Sequence, residues 1–160
     1  MMTHPPFHET LDLTIIGNMG RVHRLCRDVI TTAVEPLGLT QSRWTALLHI
    51  SMVGEGLTQL ALANSLGIEM PSLTRTLKQL EHAKLITRQV ASNDKRSKQI
   101  YFTKQGRSTL ALLDEKVAAL KSQLYSGLSH KQLDAMAYAL INIEKNAHAI
   151  ALNTVTDKGK

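Results

Sequence analysis

Gly67 and Pro71 constrain this chain more than any other pair of residues. The segment "QLALANSLGIEMPSLTRTLKQL" is helical in pattern on both sides of them. Gly67 ends the first helix because it reaches left-handed backbone without a Cβ clash. Pro71 opens the second, where the amide hydrogen it lacks has no partner in any first turn. Thr58 stands where an N-cap belongs for the short helix "QLALANSL". The spacing therefore predicts a short helix, a tight turn "LGIEMPS", and a second helix.

The second helix, expected over 70–84, is two-faced. At about 100° per residue, Leu73, Leu77 and Leu80 share one side, while Ser72, Arg75 and Gln79 cluster opposite. After "HAKLI" the period changes to two. "LITRQV" and "KQIYFT" are β-branched and aromatic, flank the polar link "ASNDKRS", and predict a hairpin.

Longer helices are expected on both sides. From about Thr10 to Glu35 the positions Ile15, Met19, Val22, Cys26 and Val29 step four and three, and Pro36 with Gly38 stops the run. Thr40 precedes a helix carrying Trp44, Leu47, Leu48 and Val53, closed by "GEG". Thr103 starts a helix with Leu110, Leu113, Val117, Leu120 and Leu124. "SGLS" breaks it, and Ser129 with Gln132 reads as a capping box for a last helix bearing Leu133, Met136, Leu140, Ile143, Ala147 and Ile150. These outer stripes do not form a compact core with the middle segment alone, which points to pairing with a second copy.

Charge identifies the working segment. The chain carries +6 overall with pI near 9.6. Residues 70–107 hold nine Lys/Arg against two acids, Glu81 and Asp94, a local excess of +7 that leaves the remaining residues slightly acidic. A concentrated basic patch implies a polyanionic partner. On the two-faced helix, Ser72, Arg75 and Gln79 can meet base edges in a major groove, where an Arg fork donates twice to guanine. A basic hairpin directly after such a helix is a wing whose tip can enter a minor groove. Within that tip Asp94 can pair with Arg96 and aim it. Aromatics at 4% offer no stacking platform for single-stranded RNA.

"DKRSKQIYFT" resembles the D-x-R wing signature of MarR-type regulators, and "LALANSLGIEMPSLTRTLKQLEHAKLITRQ" is similar to the helix-turn-helix of their SlyA branch. The likeness extends over "EPLGLTQSRW" and the terminal helices, roughly residues 10 to 150. It implies a mainly α protein with a small β-hairpin wing: a winged helix-turn-helix at 37–103 between helical dimerisation regions at 10–36 and 104–152. Flexible ends are expected at 1–9 and 153–160. Double-stranded DNA is the implied partner, read by a homodimer on a pseudo-palindrome. By position, the resemblance places groove-reading residues at Pro71, Ser72 and Arg75, a phosphate contact at Arg88, and wing contacts at Lys95 and Arg96. With Gln79, Asp94 and Lys98 these complete the expected DNA-binding set, the wing spanning 88–100. Lys95 stands where close relatives often have Arg, and it lacks Arg's planar fork. Members of the branch often answer to small aromatic carboxylates such as salicylate, and the matching pocket would use Arg24, Ser42 and Trp44.

Two other readings compete. Cys26 could serve as a redox sensor, although it lies on the apolar stripe, where a thiol is inert when buried. A helical protein-interaction module with a non-specific polyanion patch would use the same stripes on another partner. Enzyme chemistry has no foothold: the seven histidines are scattered, and H-E-x-x-H, G-x-S-x-G, P-loop and G-x-G-x-x-G patterns are all missing. No cofactor or metal is expected. With one cysteine, no basic-then-apolar leader and no long apolar run, a cytoplasmic protein is expected.

Overall fold

Six α-helices and one two-stranded antiparallel hairpin follow one another in the computed structural model, which describes residues 7–9, 14–90 and 97–157. The chain divides into two compact units, 1–121 and 122–160. The expected fold class is the observed one: a winged helix-turn-helix with long helices at either end of the chain.

The first unit begins with a short 3-10 turn at Phe7–Glu9 and then α1, Ile15–Val34. Thr14 caps α1 by accepting from the Gly17 amide at 3.1 Å. The earlier start expected near Thr10 falls on residues outside those described. Next come α2 (Gln41–Val53), α3 (Gln59–Leu66) and α4 (Met70–His82), then β1 (Ile86–Val90), β2 (Lys98–Phe102) and α5 (Lys104–Leu124). Thr58 caps α3 through the Ala61 amide at 3.1 Å. Gly67 closes it at φ 63°, with the Ile68 amide reaching back to the Ala63 carbonyl. Thr40 stands at the start of α2 as expected, but its hydroxyl lies 3.3 Å from Ser42 Oγ and caps no amide.

Helix α4 ends at His82, two residues short of the expected 84. The reason is Lys84, which takes left-handed backbone at φ 58°. Leu85 then donates its amide to the Leu80 carbonyl and Lys84 donates to Glu81, the double bond pattern that glycine usually permits. The chain leaves this tight turn directly into β1. The hairpin pairs Ile86 with Phe102, Arg88 with Ile100 and Val90 with Lys98. A third edge, not foreseen, joins it: Gly56 donates to the Ile100 carbonyl, Ile100 donates to Leu57, and Thr58 bridges Gln99.

The core gathers around α2. Leu47, Ile50, Leu62, Leu77 and Ile100 are fully buried. Helix α2 meets α1, α3 and α4, so it buries Ala46 and Ile50 in addition to Trp44 and Leu47, beyond the single stripe expected. Val53, expected on that stripe, lies at the helix end and is 49% exposed. On α1 only Val34 is buried; Val22 and Val29 remain exposed.

The second unit holds the end of α5, a turn, and α6, His130–Asp157. The capping box forms: Ser129 donates its amide to Gln132 Oε1 at 2.9 Å, and the Gln132 amide donates to Ser129 Oγ at 3.3 Å. Helix α6 runs past the expected limit of 152. Its stripe residues Met136, Leu140 and Ile143 are exposed.

Candidate nucleic-acid interface

Amphipathicity decides which side of α4 is offered outward. Leu73, Leu77 and Leu80 are each fully buried, so Pro71, Ser72, Arg75 and Gln79 are necessarily exposed on the other face. Thr76 is buried between the faces, its hydroxyl donating to the Ser72 carbonyl at 3.3 Å. Arg75 makes no hydrogen bond or ion pair among the described residues, and its fork is available. Gln79 is partly engaged, since its Oε1 accepts from Arg43 Nε at 3.3 Å. Arg43 is itself steadied by donating to the Gly38 carbonyl at 3.2 Å.

Between α4, the start of α3 and the hairpin lies an open cleft of about 530 Å³. Lys78, Lys98 and Arg88 bring positive charge to it, and Gln59, Thr74 and Ser97 add donors. Lys78, Thr74, Gln59 and Ser97 were not foreseen. Lys78 follows Arg75 by one helical turn, a signal that was legible; the others required the third dimension. Arg88 lines the cleft but turns its guanidinium inward, onto Glu81 and Gln59. Asp94, Lys95 and Arg96, which carry the expected wing tip, lie outside the described residues.

Two carboxylates hold the hairpin in place. Glu55, from the turn after α2, accepts the Phe102 amide at 2.6 Å and pairs with Arg107 at 2.5 Å. Glu81 pairs with Arg88 at 2.5 Å. Hydrogen bonding from Arg107 pulls the Glu55 carboxyl below its ordinary value of 4.5, the Phe102 amide assisting against the opposing effect of burial. Hydrogen bonding from Arg88 does the same for Glu81, helped by the charge of Lys98. Because both folded-state values are depressed, their contribution is complete above the ordinary glutamate range and is lost as pH falls through the depressed values. Glu55→Gln is therefore expected to cost about 1 kcal/mol at pH 7, discounted for the exposure of Arg107. The difference from wild type should shrink as pH drops below 4.5, as read by urea midpoints across pH. A difference that persists unchanged in acid would mean the carboxylate charge is not what matters.

A second cavity, about 550 Å³, sits among α1, α2 and the helix-turn-helix. Ser42 and Trp44 line it as expected. Arg24 does not: it is exposed on α1 and is not among the lining residues, whereas Arg27, nearly one turn on, is. The rotation of α1 against α2 decides between them. Gln41, with its amide oxygen toward α1, accepts from Arg27 Nε and Nη1 at 3.1 and 3.2 Å. Trp44 donates its indole N–H to Thr31 Oγ at 3.0 Å and is 6% exposed, so it is core and cavity wall together. His49 lies 3.0 Å from Ser65 Oγ, and burial holds its imidazole below the usual pKa. Cys26 is half-buried on α1. No cluster of three or more His, Cys, Asp or Glu that could hold a metal occurs among the described residues. Nor is any described helix long and apolar enough to cross a membrane.

Known proteins resemble this arrangement. Residues 37–97 match the model of the MarR family. The transcriptional repressor CouR, solved bound to a 23-mer DNA duplex, superposes with a TM-score of 0.75 at 26% identity, over 89% of this chain and 99% of its own. A MarR transcriptional regulator from Methanosarcina mazei Go1 superposes at 0.77 with 20% identity, over 85% of this chain and 97% of its own. The transcriptional regulator SlyA does so at 0.77 with 22% identity, covering 84% and 94%. These neighbours are transcriptional regulators, and the two less similar ones speak for the fold alone. Residues 37–97 thus match the MarR family, in a chain that takes the fold of the MarR transcriptional regulators.

Proposed function

We propose that this protein is a sequence-specific transcriptional regulator of the SlyA-like branch that acts in the cytoplasm as a homodimer on a pseudo-palindromic operator. The observation that carries this reading is the outward face of α4. Pro71, Ser72, Arg75 and Gln79 stand exposed above a fully buried leucine row, beside a cleft carrying Lys78 and Lys98. In this reading α4 enters the major groove, with Arg75 reading guanine and Ser72 and Gln79 meeting neighbouring edges. The hairpin takes the adjacent minor groove through Lys95 and Arg96, with Asp94 orienting Arg96 and Lys98 on the strand behind them. The dimer forms through residues 10–36 and 104–152. Apolar side chains left exposed there, Val22 and Val29 on α1 and Met136 and Leu140 on α6, support it. The CouR–DNA complex supports the choice of duplex DNA as partner.

Effector release belongs to the same reading. A small aromatic carboxylate would enter the cavity walled by Ser42 and Trp44, with Arg27 in the role expected of Arg24. The test is fluorescence anisotropy on the protein's own upstream DNA and on scrambled DNA, at several salt concentrations. Selective binding is expected, with a salt slope reduced by about 0.9 on Arg96→Ala. Salicylate is expected to release the upstream DNA from wild type and not from Arg27→Ala. Equal affinity for both DNAs at all salts would leave a non-specific polyanion binder and sink the operator reading.

A further inference from the structure

Glu81 is out of place on a surface built to attract a polyanion. It stands on α4, the proposed reading helix, within a segment of nine basic residues, and a negative charge there repels phosphate. Its partner explains it. Arg88 is only 10% exposed, and all three of its nitrogens point inward. Nε and Nη2 donate to Glu81 Oε2 at 3.1 and 2.5 Å, and Nη1 donates to Gln59 Oε1 at 3.3 Å. One guanidinium on β1 thereby joins both helices of the helix-turn-helix to the hairpin, since Glu81 belongs to α4 and Gln59 opens α3.

The covalent link between α4 and β1 is very short. Its turning residue, Lys84, holds a left-handed conformation that a lysine adopts less readily than glycine does. A turn of that kind fixes direction only if something beyond it is anchored. The β2 strand is anchored by Glu55 at the Phe102 amide and by backbone bonds to Gly56 and Leu57. The β1 strand pairs with β2 and packs Ile86 into the core, and Arg88 supplies its polar tie to α4. For Arg88 to bind a phosphate it would have to leave a short two-nitrogen contact and strand a carboxylate beside the DNA, which electrostatics disfavours.

We propose that Glu81 and Arg88 are positioning residues that set the hairpin's angle against α4, and that Arg88 is not a phosphate contact. The part of this that concerns DNA rests on the operator reading above. The sign of one substitution separates positioning from charge. Glu81→Gln removes an acid from the basic segment, so charge alone predicts tighter binding to every DNA. Positioning predicts weaker binding to the operator only.

The experiment uses the full chain. In Glu81→Gln, hydrogen exchange of amides in 86–90 and 98–102 is expected to quicken tenfold or more while α2 and α3 keep their protection. Affinity for scrambled DNA is expected to hold or rise, and affinity for the upstream DNA to fall about tenfold. In Arg88→Gln the salt slope on scrambled DNA is expected to stay unchanged. Should Glu81→Gln fail to fold, Arg88→Lys replaces it: the charge remains, the fork is lost, and the same hairpin exchange should quicken. Unchanged hairpin exchange overturns the proposal. So does a salt slope that drops by about 0.9 in Arg88→Gln, which would make Arg88 a phosphate contact after all. A wild type that binds upstream and scrambled DNA equally sinks the operator reading instead, and hairpin exchange still decides the brace.

Discussion

Gly106→Ala is expected to destabilise the protein by about 3 kcal/mol or more. Gly106 lies in the first turn of α5, where a Cβ would sit 1.8 Å from the Leu85 carbonyl oxygen. That oxygen cannot step aside. It accepts from the Thr103 amide at 3.1 Å and lies 3.3 Å from Thr103 Oγ, which also donates to the Lys84 carbonyl at 2.5 Å and caps the Gly106 amide at 2.9 Å. Leu85 is itself 6% exposed and leads into β1. A methyl at 106 must therefore lift the start of α5 off the turn that joins α4 to the hairpin. Alanine's better helix propensity returns about 1 kcal/mol at most, too little to offset the clash. The measurement is the urea midpoint of Gly106→Ala beside that of Ser108→Ala, an exposed control on the same helix whose hydroxyl only back-bonds to Lys104. Equal midpoints for the two would show that α5 can shift without penalty.

Arg75→Ala is expected to cost about 1–3 kcal/mol of discrimination between the upstream DNA and scrambled DNA, roughly fivefold to more than a hundredfold. The loss should be nearly all specificity. Arg75 is exposed and has no partner among the described residues, so its removal leaves nothing buried unsatisfied and should move the unfolding midpoint little. Lys78→Ala is the informative comparison. As a point charge in the cleft it should weaken both DNAs alike and lower the salt slope by about 0.9. If Arg75→Ala instead weakened both DNAs equally, the residue would be a phosphate contact and α4 would sit differently in the groove.

Much of the architecture was legible because its causes are local. Gly67 and Pro71 act on their own backbone, so the helix-turn-helix followed from two residues. Thr58 and the Ser129–Gln132 box bond within three residues of themselves, and both form as spacing predicts. The leucine row of α4 and the alternation of the strands reflect fixed periods, so the outward position of Ser72, Arg75 and Gln79 needed no fold to foresee. Where a local rule failed, a local exception explains it: Lys84 accepts the left-handed turn and ends α4 early.

The rest was decided by contacts between residues far apart in the chain. Arg24 and Arg27 are indistinguishable on α1 by composition, and only its rotation against α2 turns Arg27 to the cavity. Glu55 reads as part of a loop until folding carries it to the Phe102 amide, 47 residues away. Glu81 and Arg88, seven apart, meet only because the chain reverses between them, and Gln59 joins from 29 residues upstream. Gly106 looks like a weak point in a helix until Leu85 is set against it. By itself the sequence determined which faces are apolar, where helices begin and stop, and where charge concentrates, since short-range sterics and hydrogen bonding govern those. Tertiary structure alone decided how the wing is held and which arginines are spoken for, because each depends on the angle at which separate elements pack.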